Sequence, residues 1–393
     1  MNILYIWDSD YPWDIRVDKI CSSLVNSDNH VWIAARNLNK QARIEKVNGV
    51  NIHRLPIWNN DKLNYTFSFP VFFNPVWKNF LDQIIIHEEI KIIIVRDLPM
   101  AIAGIWAGKK HQIPVIFDMA EDYVAMIRDI WKYRKFHGLN LIVRNPYLAQ
   151  IIERYVIRHI DHILVVVDEA KKVIERNDGD MKKVTIVSNT PILRSKNDNS
   201  LHSDEILKYI KDHYSVIYTG GIQLGRGLQN VINAIPILIK KIPDFLFVVV
   251  GDGYATETIK KMIDTVGVEK YVLWIGWSEH RFLHQYIKAC RVGIIPHHRT
   301  EHTDTTIPNK IFDYMAAGIP VVSSNAIPLK RIIDQEQVGF TFQNRDPEDL
   351  ARVLIAIHES SIDFHANGIK AIENKYNWRF DEQRLLNVIA GFA

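Results

Sequence analysis

Residues 305–322 read TTIPNKIFDYMAAGIPVV, which is the pattern of a short helix that leads directly into a buried strand. Pro308 is placed to begin the helix, since proline fits the first helical turn. Gly318 is placed to end it, and Pro320 prevents its continuation. A helix that feeds a continuous apolar strand is typical of an α/β domain.

The beginning of this helix also has the chemistry of an anion site. A helix N-terminus presents free backbone N–H groups and the positive end of the helix dipole, which together favour phosphate. Lys310 adds a cation in the first turn, and Asp313, one turn further, is placed to accept hydrogen bonds from a ribose. An isolated helix of this kind is more often purely structural, so its sequence context decides the interpretation.

The same alternation of apolar strands and helical patterns extends over the whole chain in two sets. The first set comprises Ile3–Trp7, His30–Ala35, Lys91–Val95, Val115–Asp118, His162–Val167 and Val184–Val187. The second comprises Val216–Tyr218, Leu246–Val250, Val272–Ile275, Val292–Ile295, Val321–Ser323 and Phe340–Phe342. Two doubly wound α/β domains are predicted, with ligands beyond the carboxyl ends of the strands.

A polar stretch at residues 194–203, nearly free of large apolar side chains, separates the two sets. It predicts a first domain over residues 1–193 and a second over residues 204–377. The amphipathic segment 378–393 is expected, by analogy with folds of this kind, to return and pack on the first domain.

Composition and charge exclude several classes of protein. The 393 residues are 47% hydrophobic with a formal net charge of +3, which suits two globular domains and argues against a general nucleic-acid binder. Cys21 and Cys290 form neither a disulfide framework nor a metal-ligand spacing. The chain enters a strand at once without a secretory signal, and no apolar run reaches the roughly 18 residues that cross a bilayer, so a cytoplasmic protein is expected.

A glycine turn follows the first strand of the second set. Tyr218-Thr219 leads into Gly220 and Gly221, and Arg226 follows before the next helix. Glycines let the backbone approach a diphosphate and a cation neutralises it, although two glycines before a helix are more often a simple turn.

Together these segments resemble glycosyltransferase family 4, the glycosyl transferases group 1. The resemblance rests on the 305–322 stretch, on the glycine turn, and on three further segments in the family's order: Val248–Gly253, Val272–Trp277 and Ala289–Pro296. It implies a retaining GT-B enzyme with two Rossmann-like doubly wound domains facing across a cleft. It also implies no cofactor and no metal requirement, because cations and helix N–H groups stabilise the departing nucleoside diphosphate.

The resemblance assigns donor-binding roles in the second domain. Asp313 falls on the family's ribose ligand and Arg226 on a phosphate cation, while Trp277 and Ser278 are expected beside the nucleobase. Thr305 stands where the family has the acid that contacts the transferred sugar, and Asp304 or Glu301 could substitute for it. Gly221 stands where a second phosphate cation is usual, and Lys310 or Arg16 could compensate. The remaining residues expected at the donor are Gly220, Thr306, Ile307, Pro308 and Asn309.

Three loops of the first domain resemble family loops at the acceptor side. Arg16 and Asp14 are expected on the phosphate or acceptor side, where Arg16 could meet either, or alternatively the two form a surface salt bridge. Glu121 and Asp97, each after a strand, are candidates for deprotonating or orienting an acceptor hydroxyl, although isolated acids are more often helix caps. Asp8-Ser9-Asp10 directly follows the first strand, the wrong place for the Asp-x-Asp metal site of the other transferase fold, so no metal site is predicted there.

The implied reaction transfers a hexose-type sugar from a UDP- or GDP-sugar, UDP being favoured, to a glycan or lipid-linked acceptor, as in surface polysaccharide or glycolipid synthesis. A nucleotide-sugar epimerase of the same fold and a non-catalytic nucleotide-sugar binding protein remain as alternatives. An NAD-dependent oxidoreductase is disfavoured, since no Gly-x-Gly-x-x-Gly follows the first strand.

A basic and aromatic segment predicts peripheral membrane binding at the inner face of the cell membrane. Residues 126–160 contain seven Lys or Arg against two acids. Lys132, Arg134 and Lys135 are interleaved with aromatic side chains such as Trp131, a combination that favours an anionic lipid surface. An ordinary helix pair with a solvated basic face is the alternative.

Overall fold

A computed structural model describes residues 1–12, 14–133, 135–193 and 204–392. The chain forms two compact units, one of Met1–Asn189 with Arg379–Ala393 and the other of Thr190–Trp378. Residues 190–193, which the sequence assigned to the first domain, therefore belong to the second unit. The predicted linker 194–203 lies outside the described residues.

The first unit is built on an eight-stranded sheet. Its strands are β1 (Asn2–Ile6), β2 (His30–Ala35), β3 (Ile44–Val47), β4 (Val50–Arg54), β5 (Ile92–Arg96), β6 (Val115–Met119), β7 (His162–Val165) and β8 (Val184–Ile186). They lie in the order β3-β4-β2-β1-β5-β6-β7-β8, and all neighbours are parallel except β3 and β4. The six strands predicted from sequence are the parallel ones other than β4.

Helices follow most of these strands. They are α1 (Ile15–Asn26), α2 (Asp61–Phe67), α3 (Pro75–His87), α4 (Leu98–His111), α5 (Tyr123–Trp131), α6 (Asn140–Val143), α7 (Pro146–His159) and α8 (Lys171–Arg176). Several begin as local sequence dictates: Asn145, for example, caps α7 by accepting hydrogen bonds from the N–H groups of Tyr147 and Leu148, with Pro146 at the first helical position.

The second unit has a six-stranded, all-parallel sheet. Its strands are β9 (Tyr214–Thr219), β10 (Phe245–Val250), β11 (Val272–Gly276), β12 (Val292–Ile295), β13 (Val321–Ser324) and β14 (Gly339–Phe342), in the order β11-β10-β9-β12-β13-β14. Every residue of β10 is buried, as a strand covered on both faces requires. All six strands were predicted.

The helices of this unit are α9 (Asp204–Lys211), α10 (Leu228–Leu238), α11 (Thr256–Val266), α12 (His280–Ala289), α13 (Lys310–Ala317), α14 (Ile327–Glu336), α15 (Pro347–His358) and α16 (Phe364–Asn374). The predicted helix of the 305–322 stretch is α13. It begins at Lys310, two residues after Pro308, and Gly318 ends it in the left-handed conformation with φ 72°.

The last helix, α17 (Trp378–Ala390), belongs from Arg379 onward to the first unit. Its Asp381 carboxylate accepts a hydrogen bond from the Ser188 backbone N–H at 3.0 Å, and Leu385 is fully buried. The return of the chain end to the first unit is therefore held by both a hydrogen bond and apolar packing.

Candidate functional site

The strand order of the second sheet reverses between the neighbouring strands β9 and β12. From β9 the chain continues outward to β10 and β11, then crosses back to place β12 on the other side of β9. In open α/β sheets the loops that leave the carboxyl ends of two such strands border the crevice in which ligands bind. The loop after β9 holds Gly220 and Gly221, and the loop after β12 holds Pro296 and His297.

Close backbone approach brings these two loops together. Gly227 has φ 72°, and a Cβ atom there would lie 1.8 Å from the carbonyl oxygen of Pro296. Only glycine fits that position, so Arg226 is held directly against the β12 loop. The glycine turn is fixed from below by Tyr218, whose hydroxyl donates a 2.8 Å hydrogen bond to the carbonyl of Gly221.

Three nitrogen-bearing side chains converge in this crevice and form what we call the cation cluster: Arg226, His297 and Lys310. Arg226 Nη1 lies 3.1 Å from Nδ1 of His297 and 3.5 Å from its Nε2. Lys310 Nζ lies 3.4 Å from Nε2 of the same ring. Lys310 also sits over the Tyr218 ring, 3.9 Å from its centroid. The sequence anticipated Arg226 and Lys310 but missed His297.

The electrostatics of the cluster favour an anion. Burial lowers the pKa of Lys310 well below its usual value, and Arg226 lowers it further, while Asp313 opposes this shift. Burial, Arg226 and Lys310 likewise lower the pKa of His297 well below its usual value. Positive groups held this close in a partly buried site repel one another, so a bound anion would relieve the repulsion.

The residues before α13 are turned toward their own loop. Thr305 and Thr306 are buried, and their hydroxyls lie 3.1 Å and 2.9 Å from the carbonyl oxygen of His302. Of the two acids that could replace Thr305, Asp304 receives hydrogen bonds from Arg299 and from the N–H of Ile327. A sugar contact from Thr305 or Asp304 would therefore have to compete with these bonds.

The other expected donor residues surround the start of α13 or follow β11. Ile307 is buried, Pro308 is half-buried, and Asn309 occupies the N-cap without a side-chain cap hydrogen bond. Asp313 lies in the first turn, on a half-buried position. After β11, Trp277 exposes 74% of its surface and Ser278 is half-buried.

The sheet of the first unit has its own topological switch point between β1 and β5. These two strands are neighbours in the sheet, although β2, β3 and β4 lie between them in the sequence. A cavity of about 190 Å³ lies beyond these strands. Asp8 follows β1, Asp97 follows β5 and Glu121 follows β6, and all three line it. The remaining lining residues are Tyr123, Met126, Ile127 and Arg144. We call this the carboxylate pocket.

Asp97 has the features of a proton acceptor in this pocket. It stands at the N-cap position of α4 but makes no side-chain cap hydrogen bond, and its backbone has φ 61° and ψ 160°, a strained conformation for a residue with a Cβ. Its buried Oδ1 has no hydrogen-bond partner among the described residues. Burial raises the pKa of Asp97 to about 8, helped by Asp8 and Glu121 and opposed by Arg96. The expectation that such an acid is merely a cap does not apply here.

Arg16 is not exposed as the phosphate or acceptor ligand that the sequence suggested. Its side chain is 2% exposed and forms a bidentate ion pair with Asp118, with Nη2 2.6 Å from Oδ1, and it also donates to the carbonyl of Val187. The guanidinium is thus fully engaged inside the first unit and cannot serve as a phosphate ligand in this state. The alternative pairing with Asp14 is absent too, because Asp14 caps α1 and pairs with Arg96.

The basic and aromatic segment is exposed where the structure describes it. Trp131, Lys132 and Lys135 are exposed, although Lys132 pairs with Asp129 at 2.8 Å. Arg134 lies outside the described residues. The indole N–H of Trp131 donates a 2.6 Å hydrogen bond to the backbone carbonyl of Arg144. Arg144 also lines the carboxylate pocket. The exposed segment and the pocket are therefore adjacent.

Among the described residues, no group of three or more His, Cys, Asp and Glu side chains has the arrangement of a metal site. Asp8 and Asp10 of the Asp-Ser-Asp sequence have separate partners: Ser9 donates to Asp8, while Asp10 accepts from the N–H of Leu38. None of the helices within the described ranges has both the length and the apolar character needed to cross a bilayer.

Comparison with known proteins identifies the family. The model of "Glycosyl transferases group 1" matches residues 213–360, and that of the "Glycosyl transferase 4-like domain" matches residues 15–190. The chain belongs to the GT-B glycosyltransferases. The part of this glycosyltransferase that matches the group 1 model lies in the second unit, which holds the cation cluster.

Individual proteins agree with this family. Sucrose-phosphate synthase from Thermosynechococcus elongatus superimposes with a TM-score of 0.74 at 15% identity, covering 99% of this chain and 98% of its own. HepE from Anabaena, solved in complex with UDP-glucose, gives 0.72 at 14% identity with both chains fully covered. These likenesses show the fold.

Among curated sequences, the amylovoran biosynthesis glycosyltransferase AmsK of Erwinia amylovora is 23% identical over 172 residues, which are 43% of this chain and 42% of that protein. The first matches among curated relatives span about a quarter to a half of those proteins' lengths.

Proposed function

We propose that this glycosyltransferase moves a hexose-type sugar from a nucleoside-diphosphate sugar, UDP being preferred to GDP, to a glycan or lipid-linked acceptor with retention of anomeric configuration. The observation that carries the proposal is the cation cluster of Arg226, His297 and Lys310 at the β9/β12 switch point. A diphosphate is the part of the donor that such a cluster would hold. The complex of HepE with UDP-glucose supports a uridine nucleotide.

In this proposal the second unit stabilises the leaving group. The bond between the anomeric carbon and the β-phosphate oxygen breaks, and the negative charge that develops on the diphosphate is met by Arg226 and Lys310. Asp313 accepts hydrogen bonds from the ribose hydroxyls, as its place in the first turn of α13 allows. Cations preorganised for developing charge are the usual source of rate in such chemistry, and this step draws on no metal.

The first unit supplies the acceptor side. A new bond forms between an acceptor oxygen and the anomeric carbon, and the hydroxyl proton must leave. Asp97 is the better candidate to receive or orient that proton, because its unpartnered Oδ1 and its pKa near 8 suit a base at neutral pH, with Glu121 in the same pocket. A carboxylate pocket of this kind supports an enzyme with an acceptor over an epimerase or a non-catalytic nucleotide-sugar binding protein.

Binding to the cytoplasmic face of an anionic membrane is part of the same proposal. It is supported by the exposure of Trp131, Tyr147 and Ile151, the last two at 80% and 68%, beside the basic residues of the segment. A lipid-linked acceptor would then reach the carboxylate pocket, which Arg144 joins to this segment. The relative named for amylovoran biosynthesis supports a role in the synthesis of a surface polysaccharide.

The first test measures donor binding and turnover. The protein is mixed with UDP-glucose and with GDP-mannose, and free UDP or GDP is followed with and without candidate acceptors. Arg226→Ala and Asp313→Ala are each expected to weaken binding about ten- to a hundredfold, the value of a lost charge-assisted hydrogen bond. Matched controls are Arg291→Ala and Asp264→Ala, exposed residues of the same unit.

Two results would contradict the proposal. If Arg226→Ala and Asp313→Ala bound UDP and GDP as tightly as the parent, the donor site would lie elsewhere. If the parent bound a nucleotide sugar but released no nucleoside diphosphate with any acceptor, the non-catalytic alternative would be favoured. The anomeric configuration of the product, read by NMR, tests retention.

A further inference from the structure

His297 is buried in the cation cluster with hydrogen-bond donors on both sides. The ring is 2% exposed, Arg226 Nη1 lies 3.1 Å from Nδ1, and Lys310 Nζ lies 3.4 Å from Nε2. A neutral imidazole has one acceptor nitrogen and one N–H donor. The acceptor nitrogen of the ring can therefore accept a hydrogen bond from one of the two cations. The N–H of the ring then points at the other cation, which cannot accept it.

No hydrogen-bond acceptor within the part of the chain that the structure describes completes this arrangement, since the hydrogen bonds of the ring are those with Arg226 and Lys310 alone. A buried N–H without an acceptor is costly, so the missing acceptor is expected from a ligand or solvent. Phosphate oxygens supply several acceptors and negative charge at once.

The charged groups that act most strongly on the ring are two cations and two other imidazoles. Arg226 comes from the loop after β9 and Lys310 from α13, while His298 and His302 lie on the same loop as His297, and all four lower its pKa. Tyr218 of β9 presents its ring at 6.5 Å between centroids. Asp313 acts on Lys310. Burial and these neighbouring cations therefore favour the neutral ring in the free protein.

We propose that His297 is a third phosphate-binding group of the donor site and takes up a proton when the diphosphate of a nucleotide sugar binds. This inference rests on the proposed function, because it takes the cation cluster as the diphosphate site. The proton comes from solvent and converts the neutral ring, with one N–H, into an imidazolium with two. One N–H can then meet a phosphate oxygen, and no covalent bond of the donor changes on binding.

The physical reason is a reversal of the local charge. Two or more negative charges of a diphosphate placed among Arg226, His297 and Lys310 replace repulsion by attraction, which favours the protonated ring. By linkage, a group that gains a proton on binding makes binding tighter as pH falls. We assign His297 a positioning role at the leaving group, in which its added charge helps to hold the diphosphate.

The test is calorimetric titration with UDP-glucose and GDP-mannose, in which both phosphates are diesters without a proton that titrates near neutrality. Each titration is run between about pH 6 and pH 8 in two buffers that differ in ionisation enthalpy, neither of them phosphate. The difference in heat between the buffers gives the number of protons taken up per donor bound.

For the parent we expect fractional uptake of one proton and an affinity that rises as pH falls, by at most about tenfold per pH unit for one group. His297→Asn should abolish the uptake and flatten the pH profile, while weakening binding at pH 8 by less than about tenfold, the cost of a neutral hydrogen bond. His358→Asn is the matched control, since this exposed histidine of α15 lies in the same unit but contacts Tyr214 at the amino end of β9, away from the cluster; it should keep the uptake of the parent.

Equal proton uptake in the parent and His297→Asn, or an affinity of the parent that does not change with pH, would overturn the inference while leaving the donor site intact. Absence of binding to both nucleotide sugars at every pH would instead overturn the proposed function, and the inference with it. Thermal unfolding of the free variants checks their folding, and His297→Gln provides a second substitution should the asparagine variant fail to fold.

Discussion

Replacing Lys310 by methionine should weaken donor binding without destabilising the free protein. Methionine keeps the length and flexibility of the lysine side chain and still packs on the Tyr218 ring, over which Nζ now lies at 3.9 Å. It removes one positive charge from the cation cluster. Donor affinity should therefore fall while the stability of the free protein stays the same or rises.

The size of the stability effect follows from the geometry. Nζ of Lys310 and Nη1 of Arg226 lie 3.4 Å and 3.5 Å from the same atom, Nε2 of His297, so they are at most 6.9 Å apart. Two unit charges at that distance repel by about 0.6 kcal/mol in water and about 2.4 kcal/mol at an effective dielectric constant of about 20. Loss of the cation–π contact with Tyr218 and of the attraction by Asp313 offsets part of this gain. The lowered pKa of Lys310 points the same way as the repulsion: because the unfolded chain binds the proton more tightly, the charge on Lys310 reduces the free energy of unfolding.

Differential scanning fluorimetry of the free protein should accordingly show a Tm that is unchanged or raised by a few degrees, at about 2 to 4 °C per kcal/mol for a domain of this size. Titration with UDP should show affinity reduced about ten- to a hundredfold, the loss of one charge-assisted phosphate contact. Lys260→Met is the matched control, because Lys260 also lies over an aromatic ring, Trp274, at 5.5 Å, but away from the cluster.

A variant that melted several degrees below the parent and bound UDP as tightly would refute this reasoning. It would mean that Lys310 is a structural residue whose stem and charge support the fold, and that the donor phosphates bind elsewhere. Loss of both stability and affinity would instead show that the repulsion within the cluster is already balanced in the free protein.

Three further predictions concern the first unit. Asp97→Asn should lower kcat at least about a hundredfold with nucleotide affinity unchanged, and in the parent kcat should rise with pH through about 8, because the base works deprotonated; a flat pH profile would exclude it. Arg16→Met leaves the buried Asp118 carboxylate without its ion-pair partner and should cost about 3 to 5 kcal/mol in unfolding free energy measured by urea titration, while unchanged stability would mean that the ion pair is dispensable. Lys132→Ser with Lys135→Ser should reduce co-sedimentation with anionic vesicles at low salt, each lysine contributing about 1 kcal/mol, and no change would favour a water-soluble acceptor.

The sequence predicted the elements whose signal is local. Continuous Ile- and Val-rich runs identified twelve of the strands, and Gly318 with Pro320 placed the end of α13 correctly. The hairpin of β3 and β4 was missed although its turn, Asn48-Gly49 with positive φ at both residues, is typical of a hairpin. Ile44–Val47 itself is largely exposed and half polar, so neither a buried run nor a clear alternation marks β3.

The errors at the site come from partners that are distant in sequence. Arg16 looked available because its ion-pair partner, Asp118, lies 102 positions away on β6. His297 went unnoticed because a histidine after a strand has no signal of its own. Its position beside two cations emerges only when β12 pairs with β9 and brings Arg226 and Lys310 to the same ring.

The two crevices differ in charge, and this difference is the basis on which we assign a substrate to each unit. Each sheet has its switch point, but that of the second unit carries Arg226, His297 and Lys310, whereas the pocket of the first is lined by three acids, Asp8, Asp97 and Glu121, and one cation, Arg144. A nucleoside diphosphate would be attracted by the former and repelled by the latter. An acceptor hydroxyl is neutral and must lose a proton, which carboxylates accept and cations do not. We therefore infer that the donor binds to the second unit and the acceptor to the first, and that exchanging the charges at either crevice would abolish transfer rather than reverse the roles of the units.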